Sequence, residues 1–134
     1  MKYLRTKLIR LLMEYFGDDE QRIEHALAVL HHAESIMLDY PDCDTDIVIA
    51  SAILHDVGIK VSEEKHGFNN GKTQEEYGPP VAGRLLSLIN FPEDKTIIVK
   101  QIIGNHHSES RYDYAELTIL KAADLIVNQR TYNS

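Results

Sequence analysis

Four ionisable side chains, His25, His55, Asp56 and Asp124, fall where a helical pattern calls for apolar ones. Asp124 stands seven residues after Leu117 and four after Leu120, with Val127 three further on, so a helix turns its carboxylate along the buried stripe. An unpaired carboxylate there costs on the order of several kcal/mol, which a partner or a cation must offset. His55 shares a face with Val48, Ser51 and Ala52, and the His55-Asp56 pair lies just before Gly58. The carbonyl end of a helix carries partial negative charge, which favours a cation at that place. His25 lies on one side with Val29, His32 and Ile36, bordering the Ala26/Leu30/Ala33/Met37 stripe. Imidazole nitrogens and carboxylate oxygens suit Zn, Fe, Mn, Ni or Co, and two of each leave positions open for water. Taken singly, a core histidine is a hydrogen-bonded packing residue and a core aspartate pairs or caps. Four together would need four separate explanations, whereas one divalent cation serves all of them.

The elements that must position these groups read as helices throughout. Tyr3/Leu4, Leu8, Leu11/Leu12 and Tyr15/Phe16 predict a first helix over about Lys2 to Phe16, stopped by Gly17. Asp18 or Asp19 can cap a second, which runs to the Tyr40-Pro41 break. A third starts near Thr45 and Asp46 and continues to Val57, ending at Gly58. Ile59 to Gly78 shows little periodicity and reads as one long irregular stretch, of the kind that folds over a site. Pro79-Pro80 then fits a helix start, since proline is tolerated in the first turn, and Val81/Ala82, Leu85/Leu86 and Ile89 give it an apolar side. Pro92 opens a helix to His106, and after a polar loop from His107 to about Asp113 a final helix carries Leu117, Leu120, Asp124 and Val127. The expectation is an all-α, single-domain bundle of about six helices over residues 1–134, without repeats, strand alternation or a linker.

Bulk properties agree with one such domain and exclude several function classes. The 134 residues suffice for a single hydrophobic core. At 43% hydrophobic and 26% charged, the chain is too apolar to be disordered. Its apolar runs, such as Asp46 to Val57, fall short of the ~20 residues that cross a bilayer, so no membrane association is expected. Lys2, Arg5, Lys7 and Arg10 are spread through an amphipathic pattern with no cleavage site, and the single Cys43 cannot form an internal disulfide, which leaves a cytoplasmic location as the expectation. The net charge of −7 argues against a nucleic acid polymer or an anionic lipid surface as partner. Gly67 to Thr73 looks like a phosphate loop but has three residues between its glycines where four are required, and no strand precedes it.

His25, then Leu54-His55-Asp56-Val57-Gly58 with Lys60, then Asn105-His106-His107, then Ala122-Ala123-Asp124 together resemble the HD-domain phosphohydrolases, over about Arg22 to Asn128. The resemblance implies a helical bundle with one divalent transition metal on His25, His55, Asp56 and Asp124. Members holding two or more metals generally carry a further histidine before a glycine in the helix after the HD pair. Here that place is Gln74, in Gln74-Glu75-Glu76-Tyr77-Gly78. A neutral amide is a poor transition-metal ligand, so a second metal is not expected and His106 and His107 are read as lining the site.

The implied reaction is hydrolysis of a phosphate ester of a small phosphorylated metabolite, such as a nucleotide, by a metal-activated water, with Asp56 at its centre. Charge growing on the phosphoryl oxygens calls for cations or N–H donors, and the candidates are Lys60, Lys72, Arg84, His106 and His107. Glu75 or Glu76 could act as general base, while His31, His32, His66 and Asp113 read as structural or surface residues. Two alternatives stand beside this reading. One is an iron oxygenase of the HD type, against which Gln74 speaks; the other is a non-catalytic module in which the metal is structural. The pattern leaves the substrate open, and the oligomeric state too, a homodimer included.

Overall fold

The computed structural model describes residues 1–133, with side chains through residue 130. Seven α-helices follow in order: α1 (Leu4–Phe16), α2 (Glu20–Ile36), α3 (Thr45–Leu54), α4 (Gly58–His66), α5 (Gly71–Leu88), α6 (Glu93–Ile103) and α7 (Ala115–Asn133). A short 3₁₀ turn, Met37–Asp39, extends α2, and the described residues contain no strand. The all-α, single-bundle expectation is met.

Helix α3 is the centre of the molecule. Every residue from Ile47 to Leu54 is buried, the mark of a helix that is covered on all sides. It packs against α1, α2, α6 and α7, and α2 packs along α7. These three mutually touching helices, α2, α3 and α7, carry His25, the His55-Asp56 pair at the α3 terminus, and Asp124. Local chemistry fixes the ends. Asp19 accepts from the Arg22 backbone N–H at 3.4 Å to cap α2, and Asp44, one residue earlier than the Thr45 start read from the sequence, accepts from Ile47 N–H at 3.2 Å to cap α3. Gly17 closes α1 at φ 58°, a conformation that side chains disfavour.

One expectation is corrected. Ile59–Gly78 is not an irregular loop: it is α4 followed by the first half of α5, and Pro79-Pro80 lie inside α5 rather than at its start. The start is a capping box that begins eight residues upstream of Gly78, in which Asn70 Oδ1 accepts from Thr73 N–H at 2.9 Å and Thr73 Oγ1 accepts from Asn70 N–H at 3.0 Å. The two prolines cost α5 the amide donors that would serve the carbonyls of Glu75 and Glu76. Packing against α4 on one side and α6 on the other holds the helix through them. Likewise α3 stops at Leu54 and not at Val57, so His55-Asp56 occupy a turn, and α6 stops at Ile103, before His106. The α1 terminus clamps the first turn: Tyr15 Oη donates to the Val57 carbonyl at 3.0 Å.

Because α5 is held at its start by that box and its first turn presses on the site, Asn70→Ala has a defined cost. Loss of the cap should lower stability by about 1 kcal/mol, read as a shift of the urea midpoint at unchanged m-value. A variant as stable as the parent would show that packing alone starts α5.

Candidate metal centre

The structure brings His25, His55, Asp56 and Asp124 into one cluster. His25 Nε2 lies 3.2 Å from Asp124 Oδ1, 3.3 Å from Asp56 Oδ2 and 3.3 Å from His55 Nε2. His55 Nε2 is in turn 3.3 Å from Asp56 Oδ2 and 3.4 Å from Asp124 Oδ1. His55 is wholly buried and Asp124 nearly so, while His25 and Asp56 each keep a small opening to solvent.

The hydrogen-bond roles show what this cluster needs. His55 Nδ1 is 2.8 Å from the Ala52 carbonyl, which can only accept, so Nδ1 carries the proton. The neutral ring then turns a lone pair on Nε2 toward two carboxylate oxygens, which are also acceptors. Acceptors converging on one point require a cation between them, either a proton or a metal. The titration behaviour of the metal-free cluster says the same. Burial opposes charge on His55, but Asp56 and Asp124 outweigh it and raise its pKa well above the ordinary histidine value. Burial likewise works against ionised Asp56 and Asp124, yet His55 and His106 hold the first well below the carboxylate range, and His25 and His55 hold the second below it. The donor set therefore fits a divalent transition metal.

A second group overlaps the first. Asp56, His106 and His107 can each offer a ligand atom within the reach of one ion, so Asp56 belongs to both groups. Asp56 Oδ2 faces the first pair of histidines, and its Oδ1 lies 3.7 Å from His106 Nε2, which is buried without a hydrogen-bond partner. His106 Nδ1 is 2.6 Å from the Ile103 carbonyl, which again leaves the Nε2 lone pair for the site.

Gln74 closes this side, and a chain of hydrogen bonds fixes which way its amide points. Arg22 holds Glu63 with two bonds, of 2.7 and 2.9 Å, and Glu63, an acceptor only, takes the Asn69 amide N–H at 3.0 Å. Asn69 Oδ1 therefore accepts from Gln74 Nε2 at 2.8 Å. That turns Gln74 Oε1 to His107, whose Nε2–H donates to it in a very short contact. The His107 nitrogen facing Gln74 thus has no free lone pair.

The remaining candidates are placed as follows. Glu75 Oε2 accepts from the His107 backbone N–H at 3.0 Å and from Ser108 Oγ at 2.8 Å, so it anchors the turn after α6. Lys60 points to the α1 terminus, where Nζ donates to the Tyr15 carbonyl at 3.1 Å and lies 5.0 Å from the Tyr15 ring centroid. Arg84 lines a separate groove of 510 Å³ between α5 and α6 that contains none of the metal donors. Lys72 is exposed on the first turn of α5 and does not line the cleft at the donors. That cleft, 250 Å³, is formed by His25, Asp56, Gln74, His107, Asp124 and Asn128. Sequence reasoning passed over Asn128, although its place four residues after Asp124 on one helix carried the signal.

Comparisons with known proteins show the family and the fold. The HD domain family profile matches residues 22–129. The chain is 26% identical over 112 residues to the 3'-5' exoribonuclease YhaM of Halalkalibacterium halodurans, an alignment of 76% of this chain and 34% of that protein, so it spans about a third of that relative's length. A crystal structure described as a predicted HD superfamily hydrolase from an uncultured Thermotogales bacterium superposes with a TM-score of 0.69 at 24% identity, covering 96% of this chain and 74% of that one. Among the described residues no helix is long and apolar enough to cross a membrane.

Proposed function

The chain belongs to the HD domain family, and from that premise we propose that it hydrolyses a phosphate ester of a small metabolite with one divalent transition metal held by His25, His55, Asp56 and Asp124. The observation that carries the reading is that His25 Nε2 and His55 Nε2, 3.3 Å apart, each lie 3.2 to 3.4 Å from Asp56 Oδ2 and Asp124 Oδ1, with the Ala52 carbonyl turning the lone pair of a neutral His55 toward both carboxylates. A metal bound there supplies Lewis acidity to a phosphoryl oxygen and lowers the pKa of a water. The protein's own residues do the rest. Ala52 fixes the tautomer and orientation of His55, and Ile103 does the same for His106. His106 Nε2, left with its lone pair by the Ile103 carbonyl, lies beside Asp56, and His107 lines the cleft next to it. Glu75 anchors the backbone of the turn that carries His107, and Gln74 orients its imidazole. Likeness to an exoribonuclease favours phosphodiesters among the ester classes.

One metal is favoured over two because Gln74 stands where an imidazole would be needed and occupies His107 Nε2–H. Elemental analysis of protein purified without added metal should give one equivalent per chain, and that protein should hydrolyse bis(p-nitrophenyl) phosphate. Gln74→His should raise the content towards two. Two irons in the parent, with oxygen consumption, would move the reading to an oxygenase. A filled site without turnover of any ester in a broad panel would make it a binding module.

A further inference from the structure

The cleft at the metal donors does not end with them. Beyond His107, Asp124 and Asn128, which belong to both parts, it opens into an outer lobe of 330 Å³ walled by Ser108, Lys121 and Leu125. Lys121, Asp124, Leu125 and Asn128 follow at the spacing that puts residues on one helix face, so α7 presents the donor and the outer wall together. Lys121 is the cation of this wall. Its Nζ donates to the Ser108 carbonyl and to Ser110 Oγ, both at 2.6 Å, and no carboxylate lies within ion-pair distance of it among the described residues. Two neutral acceptors fix the ammonium without neutralising it, in a chain whose net charge of −7 offers many acids. The amide of Asn128 stands at the junction of the two lobes, and Leu125, 57% exposed, gives the rim an apolar surface.

We propose that this outer lobe is a subsite for a second anionic group of the substrate, held by Lys121 with Asn128 beside it, so that the preferred substrates are phosphate esters bearing another phosphate next to the scissile one. The carbon skeleton between the two anionic groups lies over Leu125. The lobe rests on the hydrolase reading for the scissile phosphate, but its ligand chemistry follows from Lys121 itself. A fixed, unneutralised ammonium recognises an anion by charge-assisted hydrogen bonds, and an ester with a single phosphate leaves it unused.

The test compares bis(p-nitrophenyl) phosphate, which has one phosphate, with a 5′-phosphorylated dinucleotide, which has two, on the metal-loaded protein. Equilibrium binding of a nucleoside 3′,5′-bisphosphate is measured in parallel. Lys121→Gln should raise KM for the dinucleotide and Kd for the bisphosphate about 10-fold or more, leaving kcat and the one-phosphate ester unchanged. Lys121→Arg should restore most of the loss. Equal losses on both esters, or an arginine variant as impaired as the glutamine one with a lowered melting temperature, would reduce Lys121 to an anchor of the Ser108–Ser110 turn and overturn the proposal. Should the parent hydrolyse neither ester while bisphosphate binding still depends on Lys121, the hydrolase reading fails and the anion subsite stands.

Discussion

Asp124→Ala is expected to abolish metal binding and, with it, hydrolysis. Asp124 Oδ1 touches both His25 and His55, so the substitution removes a direct donor and also the negative charge that offsets the ion. Residues that merely support a ligand are worth roughly 10–100-fold in affinity or activity, and the loss of a ligand should exceed that. Metal added to the parent should raise its melting temperature, since an ion at 100 times its Kd stabilises the fold by about 2.7 kcal/mol. The variant should show no such rise. In the metal-free parent the paired carboxylates raise the His55 pKa well above its ordinary value, so that ring holds a proton which a metal must displace. Metal uptake should therefore release a proton in weakly buffered solution and weaken as the pH falls. Full metal content in Asp124→Ala would sink the assignment of α7 to the centre.

How much of this was readable beforehand depends on which physical signal each residue carries. His25, His55, Asp56 and Asp124 announce themselves because a charged or polar group on an apolar stripe contradicts its own helix, and the structure brings all four together. The helices that bury a broad face, α1, α2, α3, α6 and α7, follow from periodicity. Helix α4 does not: among its nine residues only Gly58, Ile59 and Ser62 are buried, too few to mark a stripe. The start of α5 was hidden by a general rule. Proline at a first helical position is common, so Pro79-Pro80 read as a beginning, whereas tertiary packing carries the helix through them. The cations misled for a different reason. Lys60 is near the HD pair in sequence, but a turn of α4 takes it to the Tyr15 carbonyl. Lys121 is distant from that pair in sequence, and only its register with Asp124 on α7 identifies it as a wall of the cleft.

Gly58→Ala is the substitution expected to damage the fold most. No unusual dihedral demands glycine there; the reason is space. A Cβ at Gly58 would sit 2.5 Å from the Gly78 nitrogen and 2.9 Å from both the Gln74 carbonyl oxygen and the Gly78 Cα. All three are backbone atoms of α5, so no side chain can swing aside and the two helices must part. The cost should reach the upper end of the overpacking range, about 3 kcal/mol or more. The displacement reaches the site from both directions. Gly58 follows Asp56 by two residues, and Gln74, whose carbonyl is struck, holds His107. Reduced metal affinity should therefore accompany the lower urea midpoint. Gly83→Ala, within α5, provides the contrast: the atoms nearest its Cβ would all belong to the flexible Lys100 side chain, the first at 3.4 Å, and removing a glycine from a helix interior is worth about 0.5–1 kcal/mol of stability. Opposite signs for the two glycines would show that α4 and α5 touch backbone to backbone where the HD turn is set, whereas equal tolerance would mean that the turn does not depend on that approach.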